Sequence, residues 1–168
     1  MKSHIAFGVA AMALLAAPAF ACTDISSQTV KLTGCVDEQW QALQGTGAQE
    51  FVYQTKDGNF GLMVITEKDA FPISQFKDAI IANAISGAGG KKEDVTVGGE
   101  RIENIDGKPF NVLEYTLANG GQPILFQNYY YSQPGFGSIQ ILAYSLDKDA
   151  PAAGFKAGTF AATVKLGG

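Results

Sequence analysis

The chain has 168 residues, 16 acidic against 12 basic side chains, and a net charge of −4. Its lysines are scattered and Arg101 is its only arginine, which disfavours nucleic acid and anionic membrane surfaces as partners. The length suits one domain with a real core.

Residues 1–21 read as a targeting segment outside the fold. Met1-Lys2 is a short basic start, Ile5 to Leu15 is apolar but short for a bilayer span, and Ala19-Phe20-Ala21 is an A-x-A cleavage pattern. A cut before Cys22 leaves 147 residues, 22–168, as a single domain. The expected location is the periplasm of a Gram-negative-type cell. The only two cysteines are Cys22 and Cys35. In an exported chain an even count implies a disulfide, here worth roughly 3 kcal/mol in the chain-entropy account. The rival reading is lipidation of Cys22. A lipoprotein signal usually carries Leu three residues before the cysteine, and Ala19 holds that place.

Thr29 to Leu32 reads as a short strand. Val36 to Leu43 reads as a helical turn carrying the only tryptophan, Trp40, as a core plug near the cysteines. Glu50 to Glu67 reads as a hairpin about a type I′ turn at Asp57-Gly58. This sets Tyr53 against Leu62 and Phe51 against Val64. Ile73 to Ser86 is the clearest helix, since Ile73, Phe76, Ile80, Ile81, Ala84 and Ile85 recur at three and four residues. Pro72 suits its start, Ser74 is a candidate cap, and Gly87 follows its end. A flexible link, Ala88 to Lys92, leads to Val95 to Val97 and Glu100 to Ile105, which read as one interrupted strand or two short ones. Asp106-Gly107 is the next hairpin turn.

Phe110 to Leu146 organises the rest as a three-strand meander. A two-residue turn at Asn119-Gly120 puts Tyr115 opposite Ile124 and Leu113 opposite Phe126. Leu113, Tyr115, Leu117, Ile124 and Phe126 then share a face. A reversal centred on Pro134-Gly135 puts Tyr130 opposite Ile139, adding Tyr130, Ile139, Ile141 and Ala143 to that face. That side is expected to be covered. The other, with Val112, Glu114, Leu125, Gln127, Tyr129, Gln140, Leu142 and Tyr144, is expected to be partly covered. Ala150 to Leu166 reads as a second helix with Phe155, Phe160 and Val164 on its apolar side, weakened by Gly154 and Gly158.

The only histidine, His4, lies in the targeting segment. Its loss there removes Ser-His-Asp and Cys-His arrangements and any His-bearing metal site. Oxidised cysteines supply no thiolate. Carboxylates remain, among them Glu100, Glu103, Asp106 and Glu114. Acid–base work needs two converging on a cleft, yet Glu100 and Glu103 point to opposite faces of a strand. Glu114, set opposite Leu125, is the best single candidate and reads as structural, tucked beneath a loop and paired with a lysine. Asp147-Lys148-Asp149 lacks the glycine and distal Glu of a calcium loop. Gly87-Ala88-Gly89-Gly90 follows a helix rather than opening one, unlike a phosphate loop. Tyr129-Tyr130-Tyr131 reads as sheet packing. No catalytic, cofactor-binding or metal residue is assigned, and no cofactor is expected.

The run VTVGGERIENIDGKPFNVLEYTLANGGQPILFQNYYYS resembles the Mog1/PsbP-like superfamily. The likeness lies in Gly98-Gly99 before a strand, the Asp106-Gly107 turn, the Leu113-Glu114-Tyr115 strand and the final helix, over roughly Phe51 to Leu166. The resemblance implies an antiparallel sheet sandwiched by helices and an accessory or binding protein rather than an enzyme. The expected fold is α+β, one antiparallel sheet of about six to seven strands with helices on both faces. The expected function is a non-enzymatic envelope protein that binds a protein or small ligand. Membrane contact is expected only if Cys22 is lipidated. The alternative is a carboxylate-dependent hydrolase acting on an envelope substrate.

Overall fold

The computed structural model describes residues 22–119 and 122–167. The targeting segment expected over 1–21 and the tip of the Asn119-Gly120 turn lie outside the described residues. The elements are β1 (Cys22–Ser26), β2 (Leu32–Asp37), β3 (Trp40–Leu43), β4 (Gln49–Thr55), β5 (Phe60–Glu67), α1 (Ile73–Gly87), β6 (Val95–Ile105), β7 (Lys108–Asn119), β8 (Gln122–Gln133), β9 (Gly137–Leu146), α2 (Ala150–Thr163) and β10 (Lys165–Leu166). Seven strands make one sheet in the order β3-β4-β5-β9-β8-β7-β6, and β1-β2-β10 make a second. All pairs are antiparallel. Two sheets therefore replace the single sheet expected.

Turn chemistry fixes the registers. Asp106 and Gly107 both sit at positive φ, 49° and 77°, as a type I′ turn requires, and Ile105 pairs with Lys108. The β4–β5 register is the expected one, with Tyr53 opposite Leu62 and Phe51 opposite Val64. Its turn is longer than type I′. The Gly58 N–H reaches the Thr55 carbonyl at 2.8 Å, Gly58 alone takes positive φ, 74°, and the Asp57 carboxylate accepts from Thr55 Oγ1 and the Asn59 N–H. In β7–β8, Tyr115 opposes Phe126 and Leu113 opposes Asn128. This is two residues from the expected register, a slip that leaves every side chain on its expected face.

The β8–β9 register differs by one. Three residues, Pro134, Gly135 and Phe136, separate the paired Gln133 and Gly137. They form a type II turn, with the Phe136 N–H on the Gln133 carbonyl at 3.0 Å and Gly135 at φ 81°. Tyr131 therefore opposes Ile139, and Tyr130 opposes Gln140. Ile139, Ile141 and Ala143 move to the side of Val112, Tyr129 and Tyr131. Gln140, Leu142 and Tyr144 join Leu113, Tyr115 and Tyr130.

The main core consequently forms on the side expected to be only partly covered. There Leu62, Val64, Phe110, Val112, Tyr129, Ile139 and Ile141 pack under Ala157, Phe160 and Ala161 of α2 and under Ile25, Leu32 and Val36 of the small sheet. The opposite side carries a smaller core of Leu113, Tyr115 and Tyr130 beneath Phe76 and Ile80 of α1. Aromatic rings run across it: Tyr115 stacks on Phe126 at 5.0 Å and Phe126 meets Tyr144 at 5.8 Å. Burial pushes the Tyr115 hydroxyl up to about 12, which keeps the stacked phenol neutral.

α1 ends as its glycines dictate. Gly90 donates to the Ile85 carbonyl and Gly89, at φ 71°, to Ser86, the paired bonds of a Schellman end. Pro72 occupies the N-cap and Ser74 makes no cap bond. α2 stops at Thr163, short of Leu166, because Lys165 and Leu166 pair with Thr33 and Leu32. Phe155 is 77% exposed, a correction to the expected stripe. Ala153, Ala157, Phe160 and Ala161 recur at three and four residues and let the helix lie close to the sheet, while Phe155 falls on the far side. Val36 to Leu43 is not a helical turn but the end of β2 and all of β3, since pairing of Trp40 to Leu43 with β4 outweighs a short helical pattern. Trp40 packs half-buried against the main core. Cys22 and Cys35 are bonded across β1 and β2, with Cα atoms 5.6 Å apart.

Ile80 is 3% exposed at the centre of the smaller core. Ile80→Ala is expected to cost about 2–5 kcal/mol in urea denaturation. Lys77→Ala, which breaks only an exposed ion pair with Glu100, should leave the midpoint almost unmoved. Equal midpoints for the two variants would overturn this packing of α1.

Candidate functional site: a lysine-lined groove

The residues singled out for chemistry go to structural uses. Glu114 faces Gln127, not Leu125. Its carboxylate accepts from Gln127 Nε2 at 3.0 Å and from Arg101, where a lysine was the expected partner. Arg101 also binds Glu103 at 2.6 Å, so two carboxylates converge on one guanidinium rather than on a cleft. Glu100 lies on the opposite face with Lys77. Asp106 accepts the Leu166 N–H at 2.8 Å and pairs with Lys165 at 3.3 Å. Those two contacts hold its carboxyl below the ordinary range. Tyr129 and Tyr131 enter the main core and Tyr130 the smaller one. Cys22, Asp24 and Cys35 have ligand atoms within 4.8 Å of one another, but both sulfurs are committed to the disulfide.

A groove of about 990 Å³ opens where the two sheets meet. The β1–β2 connection forms one wall, the end of β8 with the 134–136 turn another, and β10, the start of β7 and Lys68 just after β5 the rest. Among the described residues Lys31, Lys68, Lys108 and Lys165 line it, and no described lining residue is acidic. Lys165 shares its charge with the Asp106 carboxylate at 3.3 Å. Tyr131 and Phe136 provide an aromatic surface, meeting edge to face at 5.7 Å, and Tyr131 stacks on Phe110 at 5.2 Å.

The walls are fixed before any ligand arrives. Val30 and Leu32 are buried and root the β1–β2 connection in the main core. A Cβ at Gly137 would overlap the Glu67 carbonyl oxygen and come within 2.9 Å of Val30 Cγ1, so this close approach requires glycine, at φ 110°. Glu50 clamps the same connection: Ser27 Oγ donates at 2.6 Å, the Gln28 N–H at 2.5 Å and Thr66 Oγ1 at 2.5 Å. Ser27 Oγ in turn accepts the N–H groups of Thr29 and Val30, each at 3.0 Å. Burial pushes the Glu50 carboxyl up, but the bonds from Ser27, Thr66 and Gln28 together outweigh it and hold the group below its ordinary range.

Sequence reasoning passed over this site. Its lysines stand at 31, 68, 108 and 165, far apart and patternless, and only the sheet order assembles them. The sole local signal was the dense turn Pro134-Gly135-Phe136-Gly137.

No protein-family model matches the chain, and no curated protein matches it. Solved structures do. The solution structure of cyanobacterial PsbP (CyanoP) from Synechocystis sp. PCC 6803 superposes with a TM-score of 0.65 at 12% identity, covering 94% of this chain and 98% of that one. LpqN of Mycobacterium tuberculosis, described as involved in cell envelope biogenesis, gives 0.52 at 13% identity, covering 86% and 90%. A mutant of the protein Mog1 gives 0.52 at 13% identity, covering 81% and 84%. The chain has the Mog1/PsbP-like fold.

The Glu50 clamp has a pH signature. Its folded pKa lies below the ordinary value of 4.5, so its stabilisation is complete above that value and fades as pH falls through the folded one. Amide protection of Gln28, Thr29 and Val30, corrected for intrinsic exchange, should fall as pH is lowered through the depressed folded pKa of Glu50. In Glu50→Gln it should be lower already at neutral pH. Protection that is the same in Glu50→Gln as in the wild type at neutral pH would show that no such clamp exists.

Proposed function

We propose that this chain is an exported, non-catalytic accessory protein of the cell envelope that holds an acidic segment of a partner protein in the lysine-lined groove. One observation carries the reading. In a chain whose acids outnumber its bases 16 to 12, the described lining of one open groove includes four lysines and no acidic residue. Such segregation steers and orients an anionic partner. The groove is open and at the upper end of small-ligand cavity sizes, which suits an extended segment better than an enclosed molecule. Lysines act as point charges without a guanidinium's forked geometry, which suits spaced carboxylates. Cleavage of residues 1–21 and delivery to an oxidising compartment fit the Cys22–Cys35 bond. The fold is shared with LpqN, described as involved in cell envelope biogenesis, which supports a role in the envelope.

Two measurements test this. Intact mass of the protein from a periplasmic fraction should correspond to a chain starting at Cys22, two hydrogens lighter than its reduced form. A diacylglycerol mass on Cys22, or retention of residues 1–21, would contradict export as a soluble disulfide-bonded domain. Calorimetric titration with a Glu- and Asp-rich peptide should show binding that weakens steeply with salt. Lys68→Glu with Lys108→Glu should weaken it by about tenfold or more, while Lys148→Glu, outside the groove, should not. Equal affinity for all three proteins would remove the groove as the binding site.

A further inference from the structure

The geometry points to reversible self-association through β6, in which two copies pair their edge strands antiparallel about Ile102. β6 ends the seven-stranded sheet, so among the described residues one side of this 11-residue strand is unpaired. An edge of that length is a template for another strand.

The turn tells which backbone groups point outward. Ile105 and Lys108 flank the two-residue Asp106-Gly107 loop and form a hydrogen-bonded pair, after which bonded and non-bonded pairs alternate. Ile105, Glu103 and Arg101 turn their backbone groups toward β7, while Asn104, Ile102 and Glu100 turn theirs outward. Pro109 agrees with this phase: it lacks an N–H and stands opposite Asn104, at a non-bonded position.

The side chains select the register. Centred on Ile102, the outward groups of Glu100, Ile102 and Asn104 meet those of Asn104, Ile102 and Glu100 of the second copy. Ile102, 69% exposed in one copy, packs against itself. Arg101 stands opposite Glu103 of the second copy, twice, at the non-bonded positions where side chains approach closest. A register centred on Glu100 opposes two glutamates, and one centred on Asn104 puts Ile102 against Asp106, so charge complementarity favours one pairing. The bulge between Val97 and Gly99 ends the regular run. Five paired residues a side bury far less than the roughly 1,200–2,000 Å² of a stable interface, so the dimer is weak and dependent on concentration.

Sedimentation velocity of the disulfide-bonded domain over a concentration series tests this. The wild type should shift from monomer to dimer as concentration rises. Ile102→Lys, at a side chain already exposed, should raise the dissociation constant by about tenfold or more. Arg101→Glu and Glu103→Arg should each stay monomeric, the first opposing carboxylates and the second guanidiniums. An equimolar mixture of these two should form a heterodimer, since every crossed pair is then complementary. Thermal melts confirm that each variant is folded. A wild type that is monomeric up to its solubility limit, a dimer that survives Ile102→Lys, or a mixture that stays monomeric would each overturn the pairing.

Discussion

Every side chain of β9 owes its face to the three residues that join it to β8. Side-chain direction in a strand alternates with a period of two, so adding one residue to a connection reverses the whole strand that follows. Pro134 at the second position and Gly135 at positive φ make a type II turn. Phe136 adds the odd residue, and Gly137 starts β9 where no side chain fits. With that count Ile139, Ile141 and Ala143 enter the main core between β5 and β8. With two residues they would face α1, and the layer under α2 and the small sheet would receive Gln140 and Tyr144.

The same turn links core to groove. Phe136 packs partly buried against the main core and also lines the groove beside Tyr131. Val30, buried beneath the β1–β2 connection, comes near Gly137. The lysines are thus displayed by walls whose inner surfaces are core residues. A cleft whose walls are already packed suits the proposed charged partner, because little backbone ordering remains to oppose binding.

Much of this architecture was legible in the sequence. Asp106-Gly107 announced its hairpin, and the 50–67 register followed from alternation even though its turn has four residues. The stripe through Phe76 and Ile80 marked α1 to within a residue. In β7–β8 a misplacement by two residues left the faces correct, because period-two patterning is blind to even slips. The odd slip at β8–β9 was not legible, since an apolar residue is plausible on either side of a sheet covered on both. Phe155 misled because an aromatic ring outweighs alanine in a hydrophobic pattern, whereas alanines let α2 approach closely. The small sheet was hidden because β10 is two residues long and acquires meaning only when paired with Leu32 and Thr33. The groove was hidden for the same reason, as its charges come together only through non-local pairing.

The sheet order also divides the chain by the distance each strand pair must close. Along β3-β4-β5 and along β6-β7-β8-β9 each strand pairs with its neighbour in sequence. β5 with β9 is the exception. It is stitched at one end by the buried Ser138 hydroxyl, which donates to the Asp69 carbonyl, 69 residues away, and accepts the Phe71 N–H. Local hairpins close small loops at little entropic cost, whereas the β5–β9 seam requires the intervening chain, α1 included, to come round first. The topology thus describes two prefabricated ribbons, one of three strands and one of four, that become one sheet through a single late joint. The residues along that joint, Leu62, Val64, Ile139 and Ile141, are all fully buried.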